Sequence, residues 1–504
     1  YRHSMKKKQL RWTLWTIASP FILFIILCIL IYLPPIQNFL VDKAAVYASE
    51  ATGMNISVGR ISLSFPLNLV VTDVDAASPH KDTLLSVRRL QVNVQLLPLL
   101  KKQVEVDGIS LQGATVNSND LIHGMRLNGT LGELFISSHG VALDPETAIV
   151  NKVLLKDTDL SLCLNDTAAV DTAASDTTYW KIILQDIDLQ NVSFALDMPL
   201  DSLSLAASLD NAILRDGLID LHKSAYSLQT FRIKNGRVRY DSGKPLAADS
   251  LPSGLDPSHI ALTDIGVKLD SLYYEGRNMK AIISQFVLKE RSGVEIVSAT
   301  GRMVSNDKVL RVPSLKLETR DSYLELNAAM DWNALDFKGE GLVSARLMAD
   351  IGKPDVVRFM GRMDEKFVRQ YPSEPLRIRT GIDGDLNKLK LTTLTAELPG
   401  ALGLFARGEL THLTDSLLRG GDITLEAETK DLKFVSTLAE GIEIPYGTRL
   451  EGKFTMAGAK MGTDLLLMQP EAQAVAAADT IPITVYNDSI SVADDFKMER
   501  AARL

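Results

Sequence analysis

The side chains best suited to chemistry in this chain form no catalytic or metal-binding pattern that we recognise. Seven histidines are scattered through 504 residues, and none has a second ligand at the spacing that zinc sites use. There is neither a glycine-rich phosphate loop nor a G-x-S-x-G nucleophile turn. Residues 383–387 resemble the start of a calcium loop, but Lys388 and Leu394 stand where that loop needs glycine and glutamate. We therefore expect a solvated hairpin turn there, no enzyme activity and no cofactor.

The charge and the cysteines narrow the function classes further. The net charge is -8, and the only strong basic cluster, at residues 6–11, flanks an apolar run, so nucleic acid is not an expected partner. Cys28 lies inside the apolar run, whereas Cys163 alternates with polar neighbours like a strand residue. A single exported cysteine cannot form an internal disulfide, so disulfides are not expected to stabilise the fold.

Residues 12–33 have the length and composition of a transmembrane helix. As a helix, these 22 or so residues would span about 33 Å, which is enough to cross a bilayer. A cleaved signal peptide is the alternative, but its apolar core is usually about 7–15 residues and ends at a small-x-small site. The residues expected to anchor the span are Trp12, Trp15, Phe21, Phe24, Leu27 and Tyr32.

The basic residues before the span set its expected direction. Residues 1–11 should remain in the cytoplasm as a basic tail, which places the bulk of the chain in the periplasm of a Gram-negative cell. This localisation corresponds to a single-pass inner-membrane protein. Residues 34–53 then read as an amphipathic helix that Gly53 ends, either extending the span or lying across the start of a sheet.

After Gly53 the apolar period changes to two, which is typical of antiparallel strands with one apolar and one polar face. Turns are expected at Asp107-Gly108 and, as a hairpin, at Asn235-Gly236. The alternation predicts a mainly β, repetitive and antiparallel fold with a few short helices. We expect its strands to form one long, curved sheet. The candidate residues lining its apolar face are Leu90, Val92, Val94, Leu96, Leu324, Leu326, Met330 and Trp332.

Composition divides the rest of the chain. Residues 54–340 form the main β-rich segment, with polar loops expected at 165–178 and 243–258. Residues 341–460 repeat the strand pattern around two helices. These helices are expected near 354–371 and 431–439. Strands, one short helix and further strands thus form a weak internal repeat of about 75–80 residues. Residues 461–504 depart from the pattern, and we interpret them as the end of a shortened chain.

The alternation leaves open what covers the apolar side chains. One alternative is a row of β-sandwiches in which a second sheet hides each apolar face. The other is a groove whose apolar face stays open, far larger than a monomer normally exposes, as a site for an apolar ligand. The lack of sandwich-like domain breaks favours the groove.

Short phrases of the sequence resemble a known family. The apolar run, the helix ending in Ala51-Thr52-Gly53 and the segment 61–74 (ISLSFPLNLVVTDV) are similar to the start of AsmA-like proteins. Residues 96–109 (LLPLLKKQVEVDGI) and 117–139 more closely resemble the TamB proteins of Bacteroidetes, which are bridge-like lipid transfer proteins. The resemblance covers the N-terminal part of such a protein, over about residues 8–460, and not its C-terminal domain.

The resemblance implies a taco-like β-groove anchored in the inner membrane and acting in outer-membrane biogenesis. Its implied partners are phospholipid or another acyl lipid, the inner membrane and a TamA-like barrel of the outer membrane. Phospholipid acyl chains would pass along the apolar concave face towards the outer membrane. The alternative is a translocation and assembly module in protein secretion, which would work with the barrel on protein clients through strand addition.

Overall fold

The structure is a computed structural model of the whole chain. It describes residues 43, 45–46, 49–50, 53–64, 68–78, 83–94, 106–118, 124–142, 146–165, 179–243, 254–334, 341–361, 363–415, 417–438, 446–457, 460–468, 479–486 and 489–492. The chain divides into two compact units, residues 1–222 and residues 223–504. We call them unit 1 and unit 2.

Within its described residues, unit 1 contains eight long strands. They are β1 (Asn55–Ser64), β2 (Asn68–Ala77), β3 (Thr83–Val94), β4 (Val106–Asn117), β5 (Met125–Ala142), β6 (Thr147–Leu164), β7 (Lys181–Met198) and β8 (Leu203–Asp220). Each strand pairs with the next one in sequence, and every pair is antiparallel except β6 with β7, which is parallel. A 3-10 turn, Pro199–Asp201, connects β7 to β8. Unit 1 is therefore one continuous sheet that follows the order of the chain.

A few residues before β1 are also described. Lys43, Ala45, Val46, Ser49 and Glu50 are helical. The helix ends where the Gly53 N–H donates to the Ser49 carbonyl over 2.9 Å, with a positive φ of 70° at the glycine. The Ile56 N–H in turn donates to the Ser49 hydroxyl over 3.0 Å, so the helix lies beside the start of β1.

A row of residues that the strand pairing skips, one on each strand, crosses the eight described strands of unit 1. In every neighbouring pair one residue is skipped on each strand at this row, and the pairing then resumes in the same register. We call this row the seam, and its residues in strand order are Gly59, Asp73, Arg88, Gly113, Gly132, Asp157, Asn191 and Asp210. Four of them have a left-handed backbone: Asp73, Gly113, Asp157 and Asn191.

The seam explains why the apolar residues of unit 1 share a face although their spacing is irregular. On β1 they stand at Ile56, Val58, Ile61 and Leu63, so the period of two skips one step at the seam. The pairing also skips Asp73 on β2, directly opposite Gly59. The apolar side chains that follow the skipped residue on β1 therefore return to the face that holds Ile56 and Val58. Apolar residues at i, i+2, i+5 and i+7 thus indicate a strand in which the pairing skips one residue.

Close contacts in the seam make it sensitive to added atoms. A Cβ placed on Gly132 would lie 2.8 Å from the Asp157 Cβ and 2.9 Å from the Lys156 carbonyl oxygen. The change Gly132→Ala is therefore expected to lower the free energy of unfolding by about 1–3 kcal/mol, because backbone must move. Urea unfolding followed by circular dichroism measures this loss.

The matched control is Gly403→Ala, since a Cβ on Gly403 has no atom within 4 Å. That variant should stay within about 0.5 kcal/mol of the parent. If the two alanine variants have equal stability, the seam does not require small residues.

The described part of unit 2 is a longer sheet with two short α-helices. Its strands are β9 (Ala225–Leu228), β10 (Thr230–Ser242), β11 (His259–Glu275), β12 (Asn278–Glu290), β13 (Glu295–Ser305), β14 (Val309–Thr319), β15 (Tyr323–Asp331), β16 (Leu342–Ile351), β17 (Leu376–Asp385), β18 (Lys388–Leu398), β19 (Leu402–Thr411), β20 (Gly420–Thr429), β21 (Arg449–Ala457), β22 (Lys460–Met468), β23 (Asp479–Tyr486) and β24 (Ser489–Val492). The helices, α1 (Lys353–Met360) and α2 (Glu365–Gln370), join β16 to β17. Two 3-10 turns, Trp332–Ala334 and Lys433–Thr437, complete it.

From β10 to β24 every strand pairs antiparallel with the next, and β9 continues the edge that β10 forms on β11. The predicted mainly β, antiparallel architecture with few helices is confirmed. Tight turns produce this meander. At residues 386–387, for example, the Asp385 carboxylate accepts from the Asn387 and Lys388 N–H groups at 2.8 and 2.7 Å. The calcium-loop-like stretch is therefore a hairpin turn, as predicted.

Two predicted turns were wrong. Asn235 does have a left-handed backbone, with φ of 54°, but it forms a bulge inside the single strand β10 rather than a hairpin. A bulge and a hairpin turn both require residues that tolerate positive φ, as asparagine and glycine do. The Asn-Gly dipeptide alone therefore does not distinguish them. Asp107 and Gly108 lie within β4, where Gly108 pairs with Asn93 and lets the backbone approach its neighbour closely.

Both predicted helices are shorter than expected. The stretch near 354–371 is two helices, because Gly361 leaves the helical conformation with φ of 75° and Asp364 caps a new helix by accepting from the Lys366 N–H at 2.8 Å. The stretch near 431–439 holds only the 3-10 turn Lys433–Thr437.

Several predictions lie outside the described residues. They are the span at 12–33 with its anchoring side chains, most of the loops at 165–178 and 243–258, and most of the C-terminal segment. Among the helices that the structure describes, none combines the length and the apolar character that crossing a bilayer requires.

Candidate functional site

One face of unit 2 is apolar across many strands in register. Facing pairs place one residue from each of seven strands in a single row: Val312, Ala328, Ala345, Ile382, Leu391, Gly408 and Ile423. A neighbouring row runs Leu315, Leu326, Leu347, Thr380, Leu394, Ala406 and Leu425. We call the side of β14–β20 that holds these rows the apolar face. None of the paired positions on it carries a charged side chain.

The apolar face is open along most of its area. Of its positions, only Thr319, Ala349, Leu398 and Ala406 are buried, and the remaining leucines, isoleucines and valines are half-buried. A second sheet packed on this face would bury such side chains completely, as in a β-sandwich core. Within the described residues, these side chains are thus covered less completely than those of a sandwich core.

The opposite face of the same strands is polar and laced with ion pairs. Arg379 lies 2.7 Å from the Asp350 carboxylate, and Lys388 lies 3.3 Å from that of Glu409. These side chains are substantially exposed, so the pairs contribute little stability and mark the surface that faces water. Each strand is thus divided between a solvent-facing side and an apolar side.

The structure places the candidate groove residues of β15 together. Leu324, Leu326 and Met330 lie on the apolar face, opposite Leu317, Leu315 and Leu310 of β14. Trp332 instead stands in the 3-10 turn after β15, and its indole N–H donates to the Asn306 carbonyl over 2.8 Å. The Arg277 guanidinium lies 5.5 Å from the Trp332 ring, so this tryptophan borders the face instead of lining it.

The candidate residues of β3 belong to unit 1. Leu90 and Val92 share a face with Val71 and Leu69 of β2, on one side of the seam. Val94 pairs with Val106 at the end of β3. Leu96 lies outside the described residues.

One end of the apolar face is closed by helices that the sequence predicted only in part. We call this end, where β16 leads into α1, the helix margin, and the opposite end the turn margin. Phe367, Tyr371 and Phe434 are all buried, with ring centroids 5.1–5.8 Å apart. They pack on Leu398 of β18, and Leu376 and Leu402 of the apolar face pack against the same cluster. Burial raises the pKa of the Tyr371 phenol above its ordinary value.

A buried polar network fixes α1 to the same margin. Asp355 has no exposed surface, and its carboxylate accepts from the Thr319 and Ser322 hydroxyls, the latter at 2.6 Å. The Arg358 guanidinium donates to Asp355 at 3.0 Å and to Asp321 at 2.8 Å. Thr319 belongs to the apolar face, so α1 lies over the end of that face.

Further turns join this network. The Leu255 N–H donates to the Arg358 carbonyl over 2.8 Å, which ties the segment before β11 to the end of α1. In that segment the Asp256 carboxylate lies 2.8 Å from the His259 ring, and this hydrogen bond lowers the pKa of Asp256. No sequence pattern indicated the contacts of Asp355 with Thr319 and Ser322 or that of Arg358 with Asp321, because the partners stand 33–37 residues apart.

Within the part of the chain that the structure describes, no three His, Cys, Asp or Glu side chains converge closely enough to hold a metal ion.

Comparisons of the chain with protein-family models, with curated proteins and with solved structures found no match.

Proposed function

We propose that unit 2 carries acyl lipids on its apolar face, as part of an inner-membrane-anchored periplasmic protein of outer-membrane biogenesis. The observation that supports this most directly is the open, charge-free surface of seven paired strands, β14–β20. A surface of this kind stays in contact with water unless an apolar ligand covers it, and each methylene removed from water gains about 0.8 kcal/mol.

Phospholipid is the occupant that the rest of the chain favours. The apolar run at 12–33, with basic residues in front of it, would bring the sheet to a bilayer surface. The apolar face presents no hydrogen-bonding pattern that would select a particular ligand, which suits interchangeable acyl chains. The resemblance to TamB proteins of Bacteroidetes points the same way, with transfer from the inner membrane towards the outer membrane and a TamA-like barrel as a partner.

Photo-crosslinking along β15 tests this proposal. A photoreactive amino acid at Leu326 or Met330, on the apolar face, should form adducts with phospholipid in cells. The same amino acid at Glu325, on the polar face, is the control and should form few lipid adducts. If the apolar positions instead form adducts with outer-membrane or secreted proteins, the protein-handling alternative replaces lipid transfer.

A further inference from the structure

The two margins of the apolar face differ in how far protein side chains cover the ends of the strands. At the helix margin, the apolar-face residues Leu398 and Leu402 already contact the cluster of Phe367, Tyr371 and Phe434. Leu398 is only 4% exposed and the neighbouring Ala401 is fully buried. The ends of β18 and β19 are therefore occupied by protein at this margin.

At the turn margin the same two strands end without such cover among the described residues. Leu389 and Leu410, the apolar-face residues nearest this margin, remain half-buried. Next to them lie two turns, where the His412 N–H donates to the Asn387 carbonyl over 3.0 Å and where Leu417 and Leu418 are largely exposed beside the polar residues. Asn387, Lys388 and His412 are exposed there, so water reaches this margin.

We propose that a phospholipid on β17–β20 lies with its acyl ends towards the helix margin and its headgroup at the turn margin. This inference rests on the proposed function. A phosphate placed against the aromatic rings of this cluster would lose its water to apolar contacts, which is strongly unfavourable. The neighbouring Lys353 ammonium already donates to the Tyr371 carbonyl over 2.7 Å. At the turn margin the headgroup keeps its hydration, while the acyl chains cover the leucines between the margins. The helix margin thus acts as a wall that positions the lipid.

Two photoreactive phosphatidylethanolamine probes test this orientation on the full chain in mild detergent. One carries a diazirine on the headgroup and the other at the end of an acyl chain. Peptide mass spectrometry then locates the labelled residues. The headgroup probe should label residues 386–388 and 412–415 over residues 398–402 by about tenfold or more, and the acyl probe should show the reverse preference. A diazirine amine without acyl chains is the control for reactivity and should show neither preference.

The outcomes separate the orientation from lipid binding itself. If both probes label the apolar face but the headgroup probe labels the two margins equally, or prefers 398–402, the orientation is overturned and lipid binding stands. If neither probe labels the apolar face above the control amine, both the orientation and the proposed function are overturned.

Discussion

Replacing Leu326 with Asp is expected to remove most bound phospholipid from unit 2 while the sheet stays folded. Leu326 lies on β15, the second of the seven strands of the apolar face, where it pairs with Leu315 and Leu347. It is half-buried, so without lipid the new carboxylate can reach water. An acyl chain laid over it would bury an unpaired charge, which costs upwards of about 2 kcal/mol and lowers affinity more than tenfold. Leu324→Asp and Met330→Asp should act in the same way.

The measurement is the amount of phospholipid that co-purifies with each variant, normalised to protein, with circular dichroism as the check on folding. Thr300→Asp is the matched control, because it adds the same charge on the polar face, opposite Lys316. This control should retain its lipid. A folded Leu326→Asp variant with as much lipid as the parent would show that the apolar face is not the lipid-binding surface.

Asp355→Ala is expected to destabilise unit 2 more than any surface substitution. The change leaves the Thr319 and Ser322 hydroxyls without their buried acceptor and removes one of two carboxylates that pair with Arg358. Breaking a buried, hydrogen-bonded charge pair typically costs about 3–5 kcal/mol. We expect the lower end of that range here, because Arg358 keeps its bond to Asp321.

Urea unfolding measures this loss, and Glu365→Ala is the control. Glu365 is also acidic and lies at the start of a helix, but it is exposed, so its removal should change stability by less than about 0.5 kcal/mol. If Asp355→Ala unfolds at the same urea concentration as the control, the network does not hold α1 on the helix margin.

The sequence predicts the two-sided character of the strands well, because alternation follows directly from the pleat of a strand. Leu324, Leu326 and Met330 could be placed on one face from spacing alone, since β15 pairs with β16 without a register shift. Cys163 was likewise expected on a strand and lies in β6.

The irregular parts could not be predicted in the same way. At the seam, Asp157 and Asn191 take a left-handed conformation that their residue type permits without requiring it. Asn235 shows the same ambiguity, because only its pairing with β11 distinguishes a bulge from a hairpin. The helix margin depends on Phe367 meeting Phe434 across 67 positions of sequence, and periodicity carries no information about such a contact.

Native mass spectrometry of the full chain, released from mild detergent, is the most direct test of lipid carriage. The parent protein should appear with phospholipid masses attached, and folded Leu326→Asp should appear largely without them. A parent protein that carries no phospholipid, when purified from membranes that contain it, would contradict lipid carriage by the apolar face.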